Sequence, residues 1–226
     1  MTLSALKQLA ERLPTSWQHE LRRFYFRRQI LRRRFATDEK EFALLATYLR
    51  LGDWALDVGA NVGHYTMRMA EIVGPSGRVV ALEPVPDTFS LLAANMRLAM
   101  HANVTLLNVA ASDTIATAHM QIPRFADGRV NFYQAHLTAE AGGLAVLTLP
   151  VDALSLPRVS LVKIDVEGHE LSALRGMQRT IERDRPVLIV ETGAQQTADM
   201  LTGLGYRVER LPGSSNVLCT PRNPAP

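Results

Sequence analysis

Cysteine occurs once in the 226 residues, at position 219. No intramolecular disulfide can form, and no zinc site built from several thiolates is available. A chain so poor in cysteine fits a reducing compartment. No run approaches the ~20 consecutive apolar residues that a membrane-spanning helix requires. The first ten residues carry Lys7 and no long apolar core, so they do not read as a secretory signal. Internal repeats and low-complexity segments are absent as well. The expectation from these absences is a cytoplasmic protein.

What is present is ordinary in bulk and uneven in placement. Apolar residues make up 47% and charged residues 21%, which suits one globular core of ordinary size. The net charge of +3 conceals a division. Residues 1–40 hold ten Lys or Arg against four Asp or Glu, a net of +6, and the remainder holds fifteen against eighteen, a net of −3. The basic excess is therefore local, and a slightly acidic body is a poor general surface for nucleic acid. Three parts are expected: a basic helical arm over 1–50, a main domain over 51–221, and a loose tail over 222–226.

From Asp53 onward, short apolar runs alternate with helical patterns. Strands are expected at 54–58, 78–82, 103–109, 159–165, 186–191, 206–210 and 216–220. Helices are expected after Gly63, from Pro86 to about Met100, from about Gly168 to Arg183, and from Ala194 to Gly203. Such alternation predicts an α/β fold with a mostly parallel sheet covered on both faces. Only Leu211 to Ser215 separate the last two strands, too short a connection for a crossover, so those strands should pair antiparallel. Two further strands, 116–122 and 144–151, lie in an insertion over 115–156. A long excursion there is a candidate substrate lid, with Phe125, Arg129, Phe132, Tyr133 and His136 available to meet a polar ring. A hairpin that merely covers a sheet edge is the plainer alternative.

The first strand runs into Asp57-Val58-Gly59-Ala60-Asn61-Val62-Gly63. In open α/β sheets, ligands bind beyond the carboxyl ends of the strands, and glycine there lets backbone approach a ligand. A dinucleotide fingerprint needs G-x-G-x-x-G. Read from Gly59, the second glycine position is Asn61 and the third is His64, so a dinucleotide is disfavoured. The second strand ends at Glu83, where an acid can accept hydrogen bonds from both hydroxyls of a ribose. Ribose recognition without a pyrophosphate cradle suits S-adenosylmethionine.

A second acidic cluster follows the fourth main strand, in Lys163-Ile164-Asp165-Val166-Glu167-Gly168-His169-Glu170. Asp165 falls on the same rim as Gly59 and Glu83. Glu167 and Glu170 fall at a helix start, where capping alone would explain an acid. His169 is either a proton shuttle or a solvated helix residue.

These segments, together with Leu82-Glu83-Pro84, Asn95, Asn108-Val109-Ala110-Ala111-Ser112-Asp113, Leu174-Arg175-Gly176 and Pro186-Val187-Leu188-Ile189-Val190-Glu191, resemble the FkbM family of S-adenosylmethionine-dependent methyltransferases. The resemblance covers about residues 50–220. It implies a Rossmann-like class I methyltransferase fold, with a seven-stranded, mostly parallel sheet and an antiparallel last strand. It also implies that Asp57, Gly59, Asn61 and Gly63 line the methionine end of the cofactor and that Glu83 holds its ribose. Ala111, Ser112 and Asp113 are expected around the adenine.

The expected reaction is methylation of a hydroxyl on a small molecule, sugar or glycolipid. Asp165 is the candidate base, with Glu167, Glu170 and Glu191 as further candidates. Asp165 and Glu191 together are candidate ligands for Mg²⁺, a hard cation that takes oxygen ligands, although two carboxylates do not define a site. A non-catalytic nucleoside-binding module and a nucleic-acid methyltransferase are the competing readings. The acidic rim argues against the first. The second would need the basic arm to hold a strand, and Asp165-Val166-Glu167-Gly168 lacks the Pro-Pro-aromatic pattern of amino methylation. The arm itself, with its arginines among Leu21, Phe24, Tyr25, Leu31 and Phe35, reads either as a helix packed on the body or as a surface for anionic lipid or an acidic partner over residues 21–35.

Overall fold

The computed structural model of the chain describes residues 15–123, 134–138 and 142–222. Phe125, Arg129, Phe132, Tyr133 and residues 223–226 lie outside the described residues. Two helices come first, α1 (Thr15–Leu31) and α2 (Lys40–Tyr48). The alternating part follows as β1 (Trp54–Val58), α3 (His64–Val73), β2 (Arg78–Leu82), α4 (Pro86–Met96) and β3 (Val104–Leu107). Then come β4 (Ala110–Ala111), β5 (Ala116–Gln121), β6 (His136–Thr138) and β7 (Leu144–Leu149), and a 3₁₀ turn over Val151–Leu154. Alternation resumes with β8 (Val159–Ile164), α5 (Glu170–Arg175), α6 (Gln178–Asp184), β9 (Val187–Glu191), α7 (Gln195–Gly203), β10 (Tyr206–Arg210) and β11 (Asn216–Pro221).

The main sheet has seven strands in the order β10-β11-β9-β8-β1-β2-β3. Its ladders from β3 to β9 are parallel, and β11 is antiparallel to both neighbours, as the short Leu211–Ser215 connection requires. The chain winds outward from β1 to β3, then returns to lay β8 on the other side of β1. The order therefore reverses between β1 and β8, which is where a crevice opens in such sheets.

Each strand alternates its side chains between two apolar layers. Leu56, Val58, Val80, Leu82, Val162, Ile164, Leu188 and Val190 pack on one face with Leu174, Met177, Ile181 and Leu201 from the α5–α7 side. Ala55, Val79, Leu161 and Ile189 pack on the other with Leu45 of α2 and Tyr65, Met69 and Val73 of α3. On this second face the alternation turns polar near the carboxyl ends. Leu161 is followed by Lys163 and Asp165, Ala55 by Asp57, and Ile189 by Glu191. One face of the sheet thus carries the charged groups to one rim.

The structure differs from the expectations in four places. The helix expected over 168–183 is two helices, broken at Gly176 and Met177. A Cβ at Gly176 would stand 1.8 Å from the Ser112 carbonyl oxygen, so the backbone there abuts a neighbouring strand end. The second helix then starts afresh, with the Asp152 carboxylate accepting from the Arg179 and Thr180 backbone N–H groups. The strand expected to reach Val151 stops at Leu149 and gives way to the 3₁₀ turn. The α4 helix ends at Met96 rather than Met100. The insertion also does more than form a hairpin: with β4 it builds a separate four-stranded sheet, β4-β7-β5-β6. In the arm, α1 lies on the body. Phe26 packs with Val62, Leu91 and Phe35, and His19 Nε2 sits 3.2 Å from the Asp87 carbonyl oxygen of α4.

Candidate active site

Three strand ends meet at the crevice. The Gly59 and Ala60 N–H groups both donate to the Leu82 carbonyl at 2.9 Å, and the Asp165 N–H donates to the Val58 carbonyl at 2.9 Å. Gly59 has φ +82°, and a Cβ there would lie 1.8 Å from the Asp165 carbonyl oxygen. Glycine is needed at 59 so that the β1 turn can press against the end of β8. Asn61 also takes a left-handed conformation, φ +50°, which asparagine tolerates better than most residues. This turn aims the Asn61 N–H at the Glu83 Oε2, 2.9 Å away, while Glu83 Oε1 accepts from the Val85 N–H at 2.8 Å. Each oxygen keeps a further lone pair for a ligand. Burial drives the Glu83 carboxyl up to about 7, against the opposing pull of its two backbone donors.

Gly63 has a different job from Gly59. It precedes α3 at φ +95°, and a Cβ there would meet Leu92 Cδ1 at 2.6 Å and Met96 Cε at 2.8 Å. It lets α3 and α4 pack together and does not line the crevice.

Two adjoining cavities occupy the rim. The first, of about 200 Å³, is bounded by Gly59, Asn61, Glu83, the Val109–Ala111 segment, Asp165–Glu167, His169 and Glu191, and by Met120, Ala135 and Leu137 of the small sheet. The second, of about 490 Å³, lies between the arm and the sheet and shares Glu39, Gly59, Asn61 and Asp165 with the first. Asp57, Tyr65 and Lys163 complete it from below, and Tyr25, Phe26, Gln29 and Phe35 from the arm. Gly59, Glu83 and Asp165 therefore do converge on one cleft.

Of the adenine candidates, Ala111 lines the first cavity. Ser112 is buried, with its hydroxyl 3.0 Å from His169 Nε2 and 3.4 Å from Asp113 Oδ1. Among the acidic candidates, Glu170 is turned to the backbone. Its Oε1 accepts from the Gly168 N–H at 2.7 Å, so it ties down the start of α5 and lines neither cavity. Glu167 sits at φ +44°, an uncommon conformation for a residue with a side chain. Its carboxyl is raised by burial and by its neighbours Asp165 and Glu170, and His136 opposes the shift. Burial lowers the His169 pKa, keeping that ring neutral.

The strongest electrostatic feature joins Asp165, Glu191 and Lys163. Donation from the protonated Glu191 carboxyl to Asp165, then burial, pushes Glu191 up to about 7, while the Ser215 hydroxyl, 2.6 Å from Glu191 Oε1, pulls it back. Lys163 is fully buried. Its Nζ lies 3.3 Å from Asp165 Oδ2, 3.1 Å from Asn216 Oδ1 and 5.2 Å from the centre of the Tyr65 ring. Asp57, paired in register with Lys163, accepts from the Thr66 hydroxyl, and burial raises it to about 6.

Sequence reasoning did not assign Lys163, Tyr65 or Glu39 to the site. Tyr65 donates its hydroxyl to Glu39 Oε2 at 2.5 Å, closing the wall between arm and body. Phe35 stacks on His64 at 4.2 Å between ring centres, closing another side. The available signal was Lys163, a charge inside an otherwise apolar strand and two residues before Asp165.

A model of the methyltransferase FkbM domain matches residues 57–208. The hexuronic acid methyltransferase AglP of Haloferax volcanii is 31% identical over 137 residues, covering 59% of this chain and 53% of that protein. Methyltransferase 1 of Beauveria bassiana is 29% identical over 143 residues, covering 54% of this chain and 57% of that one. The chain spans about half the length of these curated relatives. Among solved structures, the methyltransferase FkbM of Methylobacillus flagellatus superposes with a TM-score of 0.56 at 18% identity, covering 96% of this chain and 58% of that one, a likeness of fold.

Proposed function

The chain belongs to the FkbM methyltransferase family, and on that premise we propose that it moves a methyl group from S-adenosylmethionine to an oxygen of a sugar-like acceptor, most simply a hydroxyl. The observation that carries this reading is the convergence of Gly59, Glu83 and Asp165 on one cleft at the point where the strand order reverses.

The donor supplies an electrophilic methyl group on a sulfonium. The chain's own residues bind, orient and receive a proton. Glu83, fixed by two backbone donors, accepts the ribose hydroxyls. Val109 to Ala111 form the apolar wall for the adenine. Gly59 and Asn61 form the floor beneath the methionine end, and Asp57 lends that floor negative character. The acceptor hydroxyl meets Asp165 and Glu191, and the raised pKa of Glu191 suits a base working near neutral pH. In the transfer, the S–CH₃ bond breaks and an O–CH₃ bond forms. The hydroxyl proton passes to the carboxyl pair, and neutral S-adenosylhomocysteine leaves. Lys163 holds the pair in place, and Met120, Ala135 and Leu137 of the insertion wall the acceptor side. Glu167 and His136 stand at that wall as hydrogen-bonding groups for the acceptor.

Magnesium does not fit the residues present. Asp165 is already engaged by Lys163 and Glu191, and among the described residues no group of three or more His, Cys, Asp or Glu is arranged to hold a metal.

A uronic acid carboxylate is the second reading for the acceptor oxygen, favoured by the similarity to a hexuronic acid methyltransferase. A carboxylate is already a nucleophile and needs no base. Calorimetric titration of S-adenosylhomocysteine tests the donor site, with Glu83→Ala as the control that should lose binding. Transfer of labelled methyl to a panel of neutral glycosides and uronic acids then separates the acceptors. No heat with either the donor or its demethylated product would overturn the proposal.

A further inference from the structure

We propose that the outward face of α1 seats the protein on an anionic lipid bilayer. At the ~100° per residue of an α-helix, Trp17, Leu21, Phe24 and Leu31 fall within an arc of about 80°, opposite the Phe26 side that packs on the body. Phe26 is 9% exposed, whereas Trp17, Leu21, Phe24 and Leu31 are 63%, 43%, 66% and 65% exposed. With Tyr25, this one helix holds five of the ten large apolar side chains that are exposed among the described residues. The concentration makes it a patch rather than scattered surface residues.

The charges around the stripe select the occupant. Arg28 lies inside the arc, Arg27 beside it, and Arg32 just past the helix end; all three are exposed and make no ion pair among the described residues. A second copy across a two-fold axis would bring these arginines against their own images. A nucleic acid would neutralise the arginines but leave Trp17, Leu21, Phe24 and Leu31 with no apolar partner. An anionic bilayer answers both: acyl chains and the interfacial layer receive the tryptophan, phenylalanine and leucines, and headgroup phosphates receive the arginines, whose stems can lie along the apolar stripe. The stripe also borders the cleft. Tyr25 is 56% exposed at its margin and lines the arm-side cavity with Phe26 and Gln29. The surface that meets lipid is thus the rim of the candidate site, whatever chemistry the site performs.

The test uses the full chain and vesicles of phosphatidylcholine with and without phosphatidylglycerol. Trp17 is one of two tryptophans, so a Trp54→Phe background isolates its emission. The expected result is cosedimentation with the anionic vesicles, a blue shift of Trp17 emission, and quenching by brominated acyl chains. A Trp17→Ser/Phe24→Ser/Leu31→Ser variant and an Arg27→Gln/Arg28→Gln variant, each checked for an unchanged thermal transition, should each bind at least tenfold more weakly. The arginine variant alone suffices should the triple variant misfold. Equal binding to neutral and anionic vesicles, no binding, or binding indifferent to both variants would overturn the proposal. So would a dimer that dissociates in the triple variant, or single-stranded RNA bound more tightly than the anionic vesicles. Titration of S-adenosylhomocysteine on the same samples reports separately on the methyl-transfer reading.

Discussion

Asp165 and Glu191 stand side by side at the ends of two adjacent parallel strands, one residue beyond the register pair Ile164 and Val190. Two carboxyl groups so placed cannot both ionise cheaply, and Glu191 is pushed up to about 7. For a hydroxyl acceptor, turnover should rise with pH through a limb near 7. Glu191→Gln should abolish that limb and slow transfer by about 10²-fold or more, the usual scale of general-base catalysis. Initial rates from about pH 5 to about pH 9 check this. An unchanged profile in the variant would remove the pair from the chemistry and favour the carboxylate acceptor.

Lys163 is the only cation among the groups that shift Asp57 and Glu191, and it lowers both. Lys163→Met should therefore move the rising limb of the pH–rate profile to higher pH. It should also cost about 2 kcal/mol of stability, less than for a fully buried pair because Asp165 is partly open to solvent. Urea denaturation beside the kinetics reads both effects. A stability loss without a shift of the limb would make Lys163 purely structural.

The ligand-free protein should lose stability as pH rises from about 5 to about 8. Asp57, Glu83 and Glu191 have folded pKa values of about 6, 7 and 7, above their ordinary values of 3.8, 4.5 and 4.5. In that interval the folded chain holds more protons than the unfolded chain, so stability falls with pH. Their contribution is complete below the ordinary carboxylate range and is gone once pH passes the folded values. Glu83→Gln should flatten the dependence. Urea midpoints that climb across this interval would contradict the assignment.

The two turn glycines should respond differently to alanine. Gly59→Ala forces a Cβ into the Asp165 carbonyl and should cost about 3 kcal/mol or more, with loss of S-adenosylhomocysteine binding. At Gly63 the obstacles are the flexible ends of Leu92 and Met96, so the cost is mainly that of the left-handed backbone, about 1–2 kcal/mol. Gly63→Ala should melt earlier yet bind with nearly wild-type affinity. Equal loss of binding in both would give Gly63 a direct role at the ligand.

Chelation offers an independent check on the donor set at the rim. Turnover should be unchanged by EDTA and by added Mg²⁺, because Lys163 supplies the positive charge at Asp165. A loss on chelation that Mg²⁺ restores would show that ligands beyond the described residues complete a metal site.

Much of this was legible from periodicity and punctuation. The bounds of β1 and β2 follow from apolar runs ended by Gly or Glu, those of β10 from alternation between two turns, and the antiparallel β11 from a five-residue connection. What escaped depends on partners distant in sequence. Nothing near Gly176 announces that Ser112 will press against it, or that Asp152 will cap α6 from 27 residues away. The site shows the same limit. Gly59, Glu83 and Asp165 stand at strand ends that local pattern reveals. Tyr65 reads as an ordinary helix-face residue until Glu39 is brought to its hydroxyl. Glu170 and Gly63, both plausible ligand residues by position, are consumed by a helix start and a helix–helix contact.

Within the insertion only β7 pairs with β4, whose Ala111 stands in the adenine wall; among the described residues β5 and β6 share no ladder with β4 or with the seven-stranded frame. Met120, Ala135 and Leu137 can therefore be exchanged, lengthened or recombined without breaking a hydrogen bond that holds the nucleoside half of the cleft. Such a division lets selection, or an engineer, retune which acceptor is admitted while leaving donor affinity where it was.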